Sequence, residues 1–336
     1  MLPNWKGKHG PLLIAEIGGN HEGDFAYAKR LTELAIGADV DYIKFQLYSG
    51  DTLVSKIENP IRNKHFKKFE LAHEQYIELA KLCEAANIGF MASVWDIDYL
   101  DWIDDYMPIY KIGSGDVTAY PVLKAIAKRN KPIILSTGLS SLEDVVGTVN
   151  YIQEINPIYY DPNYLSILQC TSMYPIPFED ANLSVMESLK QMTGLPVGYS
   201  DHTEGSKALE IAVAMGAQIL EFHFTDAREN KDFRDHKVSL TKEEVLQLIK
   251  DIEAIQKLRG HPLKRPLAVE GDHPTTFRRA VYPLIAIEKG TIITENHLTT
   301  LRPNHGIDAR EFDSLIGKTA NRDLQMHERL EWSYFE

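Results

Sequence analysis

The chain has 336 residues, enough to bury a full core, and its formal net charge of −12 disfavours nucleic acid and anionic membrane as partners. Screening confines that bulk charge to about 8 Å, so a few pocket lysines can still recruit a small anion. No apolar run approaches the ~20 residues that cross a bilayer, and the opening Met1-Leu2-Pro3-Asn4-Trp5-Lys6 lacks a signal-peptide core, so a cytoplasmic protein is expected.

In chain order, short β-branched or aliphatic runs alternate with longer stretches of helical apolar spacing. Leu12 to Ile17 is the first strand, followed by a helix over Ala26 to Ile36 that stops at Gly37. Tyr42 to Leu47, a helix over His73 to Ala86 carrying Cys83, and Gly89 to Ala92 come next. Ile109 to Gly113, Pro132 to Ser136 and Leu165 to Gln169 follow, the last leading into Cys170. Two cysteines so placed read as buried free thiols, not as a disulfide scaffold or zinc cluster.

Pro196 to Ser200 and Gln218 to Phe222 complete eight strands, and a helix over Thr241 to Leu258 ends before Gly260, with Thr241 and Glu244 at capping-box spacing. Strands alternating with helices imply parallel pairing and right-handed crossovers, and eight such units, typically about 250 residues, imply a closed α/β (β/α)8 TIM barrel over 1–260. An open doubly wound sheet is the alternative, but Gly18-Gly19-Asn20 is too short for a dinucleotide fingerprint. The Pro-punctuated run from His261 to His273-Pro274 reads as a linker over 261–277. Val281 to Ile287, Gly290 to Ile293 and Leu298 to Arg302 then suggest a turn-rich module over 278–336, small enough to need a partner surface.

Polar residues at the carboxyl ends of barrel strands are where such barrels do chemistry. Here they are Glu16 with Asn20 and His21, Lys44 with Gln46, Ser93, Lys111 with Ser114, Ser136 with Thr137, Thr171 with Ser172 and Tyr174, Ser200 with His202, and Glu221 with His223. Hydroxyls and backbone amides around lysine cradle phosphate or carboxylate, so the ligand is expected to be a small polyanion. Any one hydroxyl has a plainer role, capping the next helix. Lys44 and Lys111 lie among Tyr42-Ile43 and Tyr110-Ile112, where an inward ammonium is an unpaired buried charge unless an anion meets it. His202 and His223 follow consecutive strands and would face one mouth as a metal pair, with Glu221 and Asp201 as acceptors able to fix the ring tautomers. Two imidazoles completed by water or carbonyl oxygen suit Mn²⁺, Mg²⁺ or Co²⁺ better than catalytic zinc, which usually takes three protein ligands.

The motifs Ala15-Glu16-Ile17-Gly18-Gly19-Asn20-His21, Lys44-Phe45-Gln46, Tyr110-Lys111-Ile112-Gly113-Ser114-Gly115, Ile134-Leu135-Ser136-Thr137-Gly138 and Ser200-Asp201-His202-Thr203 together resemble the sialic acid synthase family over almost the whole chain. Leu301-Arg302-Pro303 with Gly306, and Ile316-Gly317-Lys318, look like that family's C-terminal antifreeze-like (SAF, β-clip) domain. The resemblance implies a transferase that condenses phosphoenolpyruvate with an N-acylated hexosamine and releases phosphate. It implies that Lys44, Ser93, Lys111, Ser114, Ser136 and Ser200 hold phosphoenolpyruvate and that His202 and His223 bind Mn²⁺. Glu16, Gln46, Tyr174, Glu221 and Asp235 would face the amino sugar or a metal-bound water. Arg302 would reach the sugar from the other subunit of a domain-swapped homodimer; by itself, beside Pro303, it reads as a surface turn residue.

Two stretches depart from the family pattern. Ser172 stands where several members have asparagine, and Arg228 to Arg234 lacks their Gly-Pro element before Asp235. Both lie where the sugar is expected, which points to a precursor of legionaminic, pseudaminic or another nonulosonic acid as the acceptor rather than plain N-acetylmannosamine. The rival readings are a condensation on a phosphorylated aldose, as in the octulosonate synthases, and a non-catalytic carbohydrate-binding protein on the same scaffold. The first needs a basic cluster for a second phosphate, absent from the strand ends; the second is disfavoured by the retained lysines and histidines.

Overall fold

A computed structural model describes residues 5–336. Of the opening stretch, Met1 to Asn4 lie outside the described residues. The chain divides into two compact units, Met1–Gly260 and His261–Glu336.

The first unit is a barrel of eight parallel strands: β1 Gly10–Glu16, β2 Tyr42–Leu47, β3 Gly89–Val94, β4 Tyr110–Ile112, β5 Ile133–Ser136, β6 Leu165–Cys170, β7 Val197–Asp201 and β8 Ile219–His223. Each strand pairs with the next, and β8 returns to β1 in register from Leu12↔Ile219 to Glu16↔His223. A two-residue strand, Lys6–Gly7, folds back antiparallel on β1.

Side chains alternate across each strand, and the two faces carry separate cores. Leu13, Ala15, Ile43, Phe45, Phe90, Ala92, Ile133 and Leu135 face outward into the layer shared with the helices. Leu12, Ile14, Met91, Ile109, Ile134, Leu168 and Ile219 form a second cluster inside the barrel with Trp5. Continuing the inward period toward the carboxyl ends replaces these apolar residues with Glu16, Lys44, Ser93, Lys111, Ser136, Cys170, Ser200, Glu221 and His223, all buried. One sequence period thus builds an apolar floor and a polar layer above it.

The helix signals have physical counterparts. Lys242–Arg259 starts at Thr241, whose hydroxyl accepts from Glu244 N while the Glu244 carboxylate accepts from Thr241 N. Such a cap stabilises a helix by about 1 kcal/mol. Phe25–Ile36 and His73–Ala85 bury one stripe each on the barrel, the second enclosing Cys83.

In the second unit, Ala280–Pro283 and Leu298–Leu301 pair antiparallel over a core of Val281, Ile287, Ile293, Leu298, Ile307, Leu315, Ala320, Leu324, Leu330 and Phe335. Gly290 to Ile293 forms no strand; it is a turn joined by one bridge, Ile292↔Thr319. Residues 261–277 contain two short helical turns, Ala268–Glu270 and His273–Thr276.

Candidate active site

The carboxyl ends of the strands open into a cavity of about 640 Å³. Glu16, Lys44, Gln46, Ser93, Lys111, Ser114, Ser136, Ser172, Tyr174, Ser200, His202, Glu221, His223 and Asp235 all line it. Arg302 belongs to the second unit, exposed, with its guanidinium 5.5 Å from the centre of the Phe277 ring. Asn20 and His21 do not line the cavity. Asn20 donates to Phe224 O and Ser239 Oγ, and burial pushes His21 down to about 4, so both serve the fold. Thr137 likewise donates to Leu168 O and Thr171 to Asp180 O.

Strand register sets the polar layer. Glu16 stands opposite Lys44 on one side and His223 on the other, Ser93 opposite Lys111, and Ser200 opposite Glu221. The two lysines are therefore not unpaired, contrary to what the sequence suggested. Lys44 Nζ donates to Glu16 and lies 3.8 Å from Glu221 Oε1, while Lys111 Nζ lies 3.4 Å from the same Glu221 oxygen and donates to Ser136 Oγ at 2.7 Å. Burying an ion is tolerable only with such partners. The expectation missed them because the compensating carboxylates are distant in sequence and adjacent only through register.

Burial presses the Lys44 ammonium toward neutrality, but Glu16 and Glu221 outweigh it and raise its pKa. For Lys111 burial and the neighbouring Lys44 prevail over Glu221, and its pKa falls. Burial alone would raise Glu221; the two ammonium groups instead hold it below the ordinary carboxylate value. Gln46 Nε2 donates to Glu16 Oε1 at 2.9 Å and Ser200 Oγ to Glu221 Oε1 at 3.1 Å, completing the layer.

The two histidines do come together, with ring centroids 5.2 Å apart. His202 Nδ1 donates to Thr171 O at 2.9 Å; burial opposes its charged form, but Cys170, the Thr171 carbonyl and Asp201 together raise its pKa, and once the ring is neutral Nε2 carries the lone pair. The expected tautomer-fixing acceptors are corrected here: Asp201 is engaged by Tyr199 and Thr203, and Glu221 by the lysines and Ser200. Burial, reinforced by His202 and the lysines, holds His223 well below its ordinary value, so its ring is neutral. Glu221 Oε2 and His223 Nδ1 are buried without a hydrogen-bond partner, and Asp235 Oδ2 lies 3.9 Å from that nitrogen. Orphaned acceptors beside paired imidazoles fit a divalent cation. Among the described residues no group of three or more His, Cys, Asp or Glu is gathered as a metal cluster.

Sequence reasoning overlooked the upper wall. Tyr48, Arg62, His65, Phe66 and Phe69 come from the long connection after β2, Trp95 and Asp116 follow β3 and β4, and Phe233 and Arg234 sit in the loop after β8. Connections of that length at the carboxyl ends of strands were the available signal. Cys170 is buried as expected, yet it also lines the cavity, its sulfur 3.9 Å from His202 Nδ1.

Burial pushes Asp116 up from 3.8 to about 6. A raised acid favours its protonated form in the fold, so this penalty is absent below pH ~4 and grows to its full size as pH rises through 6. Asp116→Asn is therefore expected to match the parent in urea unfolding at pH 4 and exceed it at pH 7.5. The gain should be about 1 kcal/mol, less than the full shift implies because the side chain is only half-buried. Equal stability at both pH values would overturn that account.

Similarity to known proteins agrees with this geometry. The family model described as NeuB family matches residues 31–264, and the SAF domain model matches 278–336. The chain is 36% identical over 333 residues to N,N'-diacetyllegionaminic acid synthase of Campylobacter jejuni, covering 94% of this chain and 98% of that protein. It is 32% identical over 326 residues to N-acetylneuraminate-9-phosphate synthase of Homo sapiens, covering 93% and 89%. A crystal structure of N-acetylneuraminic acid synthetase from Leptospira borgpetersenii, in complex with citrate, superposes with a TM-score of 0.72 at 32% identity over 78% of this chain and 89% of that one. Neither rival reading is favoured by these relatives. With the NeuB family model matching over half of its length and a SAF domain following, the chain belongs to the NeuB family.

Proposed function

We infer that this chain is a nonulosonic acid synthase that condenses phosphoenolpyruvate with an N-acylated hexosamine, N-acetylmannosamine or a 2,4-diacetamido analogue, and releases phosphate. One observation carries the reading: two buried ammonium groups and a set of hydroxyls share the cavity floor with a facing imidazole pair. Family membership supports it independently.

In this reading Lys44, Lys111, Ser93, Ser114, Ser136 and Ser200 hold the phosphate and carboxylate of phosphoenolpyruvate. The methylene carbon of phosphoenolpyruvate attacks the aldehyde carbon of the sugar, forming the C–C bond, and the aldehyde oxygen takes a proton to become a hydroxyl. Water adds to the adjacent carbon and loses a proton, and the tetrahedral species collapses to the ketone with loss of phosphate. Glu16 and Glu221, displaced from the lysines by the incoming anion, are placed to accept the water's proton. The preorganised ammonium groups stabilise the shifting negative charge. His202 and His223 would hold the divalent cation, Mn²⁺ by preference and Mg²⁺ or Co²⁺ as substitutes, which when bound polarises the aldehyde. Gln46, Ser172, Tyr174 and Asp235 contact the sugar.

The test is phosphate release on mixing the protein with phosphoenolpyruvate, Mn²⁺ and a panel of 2-acetamido and 2,4-diacetamido hexoses. Release with at least one sugar is expected; none with any would overturn the reading. A cytoplasmic, domain-swapped homodimer in which Arg302 comes from the partner copy is part of the same proposal. Arg302→Ala is expected to raise KM for the sugar about 10-fold or more while leaving KM for phosphoenolpyruvate nearly unchanged. Mixing that variant with a Lys111→Met variant should restore activity if the residue acts in trans, and no recovery would overturn that arrangement.

A further inference from the structure

The cavity has a second chemical region above the imidazole pair, built by two residues to which the reading above gives no role. After β8 the chain crosses the mouth, and Arg234 and Phe233 line the cavity there. The Arg234 guanidinium lies 4.5 Å from the centre of the Tyr174 ring, and that ring packs on His202 with centroids 4.0 Å apart and planes tilted by 36°. Arg234 Nε donates to Asp235 Oδ1 at 3.2 Å; among the described residues its other N–H groups meet no acceptor, and its side chain is 68% exposed.

Phe233 packs beside it on Phe69, centroids 4.8 Å apart, with His65 stacked at 6.1 Å. The ring rests directly on Gly19: a Cβ there would meet Phe233 carbons at 2.8 and 2.9 Å. The result is an aromatic shelf next to a donor-only plane, separated from the imidazoles by one tyrosine ring. An arginine fork asks for an acceptor oxygen, and an aromatic shelf asks for an apolar group. An acylamino substituent supplies both, a carbonyl oxygen and a methyl, whereas a hydroxyl supplies no apolar group and an ammonium is repelled.

We propose that Arg234 and Phe233 read a second acylamino group of the acceptor, on a carbon remote from the reacting aldehyde, and so select a diacylamino hexose over a monoacylated one. The proposal rests on the synthase reading and refines its substrate.

The experiment measures phosphate release at saturating phosphoenolpyruvate and Mn²⁺ with a 2,4-diacetamido hexose, N-acetylmannosamine and N-acetylmannosamine 6-phosphate. The parent protein is expected to prefer the diacetamido sugar. Arg234→Met should lose about 10- to 100-fold in kcat/KM for that sugar, mostly through KM, with less than about a 3-fold change for N-acetylmannosamine. Arg234→Lys, which keeps the charge but not the planar fork, and Phe233→Ala should lose the same preference, and unchanged melting temperatures would exclude misfolding. Equal losses on every sugar would overturn the proposal, because Arg234 would then act through Asp235 on the chemistry itself. A loss confined to the phosphorylated sugar would overturn it in favour of a phosphate contact. A parent active with some sugar but showing no preference sinks only this inference, whereas a parent inactive with all of them sinks the synthase reading beneath it.

Discussion

Replacing Lys111 with methionine is expected to lower kcat/KM for phosphate release by roughly 10²- to 10³-fold while leaving the protein folded. The side chain is buried on β4, bonded to Ser136 Oγ and 3.4 Å from Glu221 Oε1, so it is fixed before any ligand arrives. Methionine keeps most of the volume and removes only the ammonium. Methionine leaves Lys44, 3.8 Å from Glu221 Oε1, as that carboxylate's remaining cation, so the melting temperature is expected to fall while the protein still folds. The loss should appear in the KM for phosphoenolpyruvate as well as in kcat, since the cation meets the anion in both ground and transition states. A variant within about 3-fold of the parent would exclude an ammonium role at this position.

His223→Ala is expected to remove metal-dependent turnover altogether, at least about a 10³-fold fall that no excess of Mn²⁺ restores. The ring lies on the last barrel strand opposite Glu16, held neutral by burial, with Nδ1 unpartnered. A chelator applied to the parent should reproduce the defect, and added Mn²⁺ should reverse it in the parent only. His21→Asn is the control, since that histidine is also buried and neutral but does not line the cavity. It should change stability more than turnover. Metal-responsive turnover in His223→Ala would remove the histidine pair from the mechanism.

Much of this architecture was legible in the sequence because a barrel strand announces itself twice, by a short branched run and by the helix that follows it. Lys44, Lys111, His202 and His223 were legible as well, since polar groups one inward step beyond an apolar run have few structural uses. The partnership of Glu16 and Glu221 with the lysines was not, because it depends on which strands become neighbours on closure. Asn20 and His21 misled for the opposite reason: they follow a strand end, but a tight turn directs them into the protein, where Asn20 bonds to the segment after β8. The rim residues Phe69, Phe233 and Arg234 sit in connections without periodicity, so nothing in local pattern fixes where they point.

The closing seam of the barrel bears on biosynthesis. Glu16 touches Lys44 and pairs with the strand carrying His223, and Asn20 donates to Phe224 across 204 residues of chain. A polypeptide emerging from the ribosome presents Glu16 early and must wait for nearly the whole barrel before that carboxylate has its second neighbouring strand. Translation interrupted before residue 219 thus leaves the first strand without the partner that closes the ring.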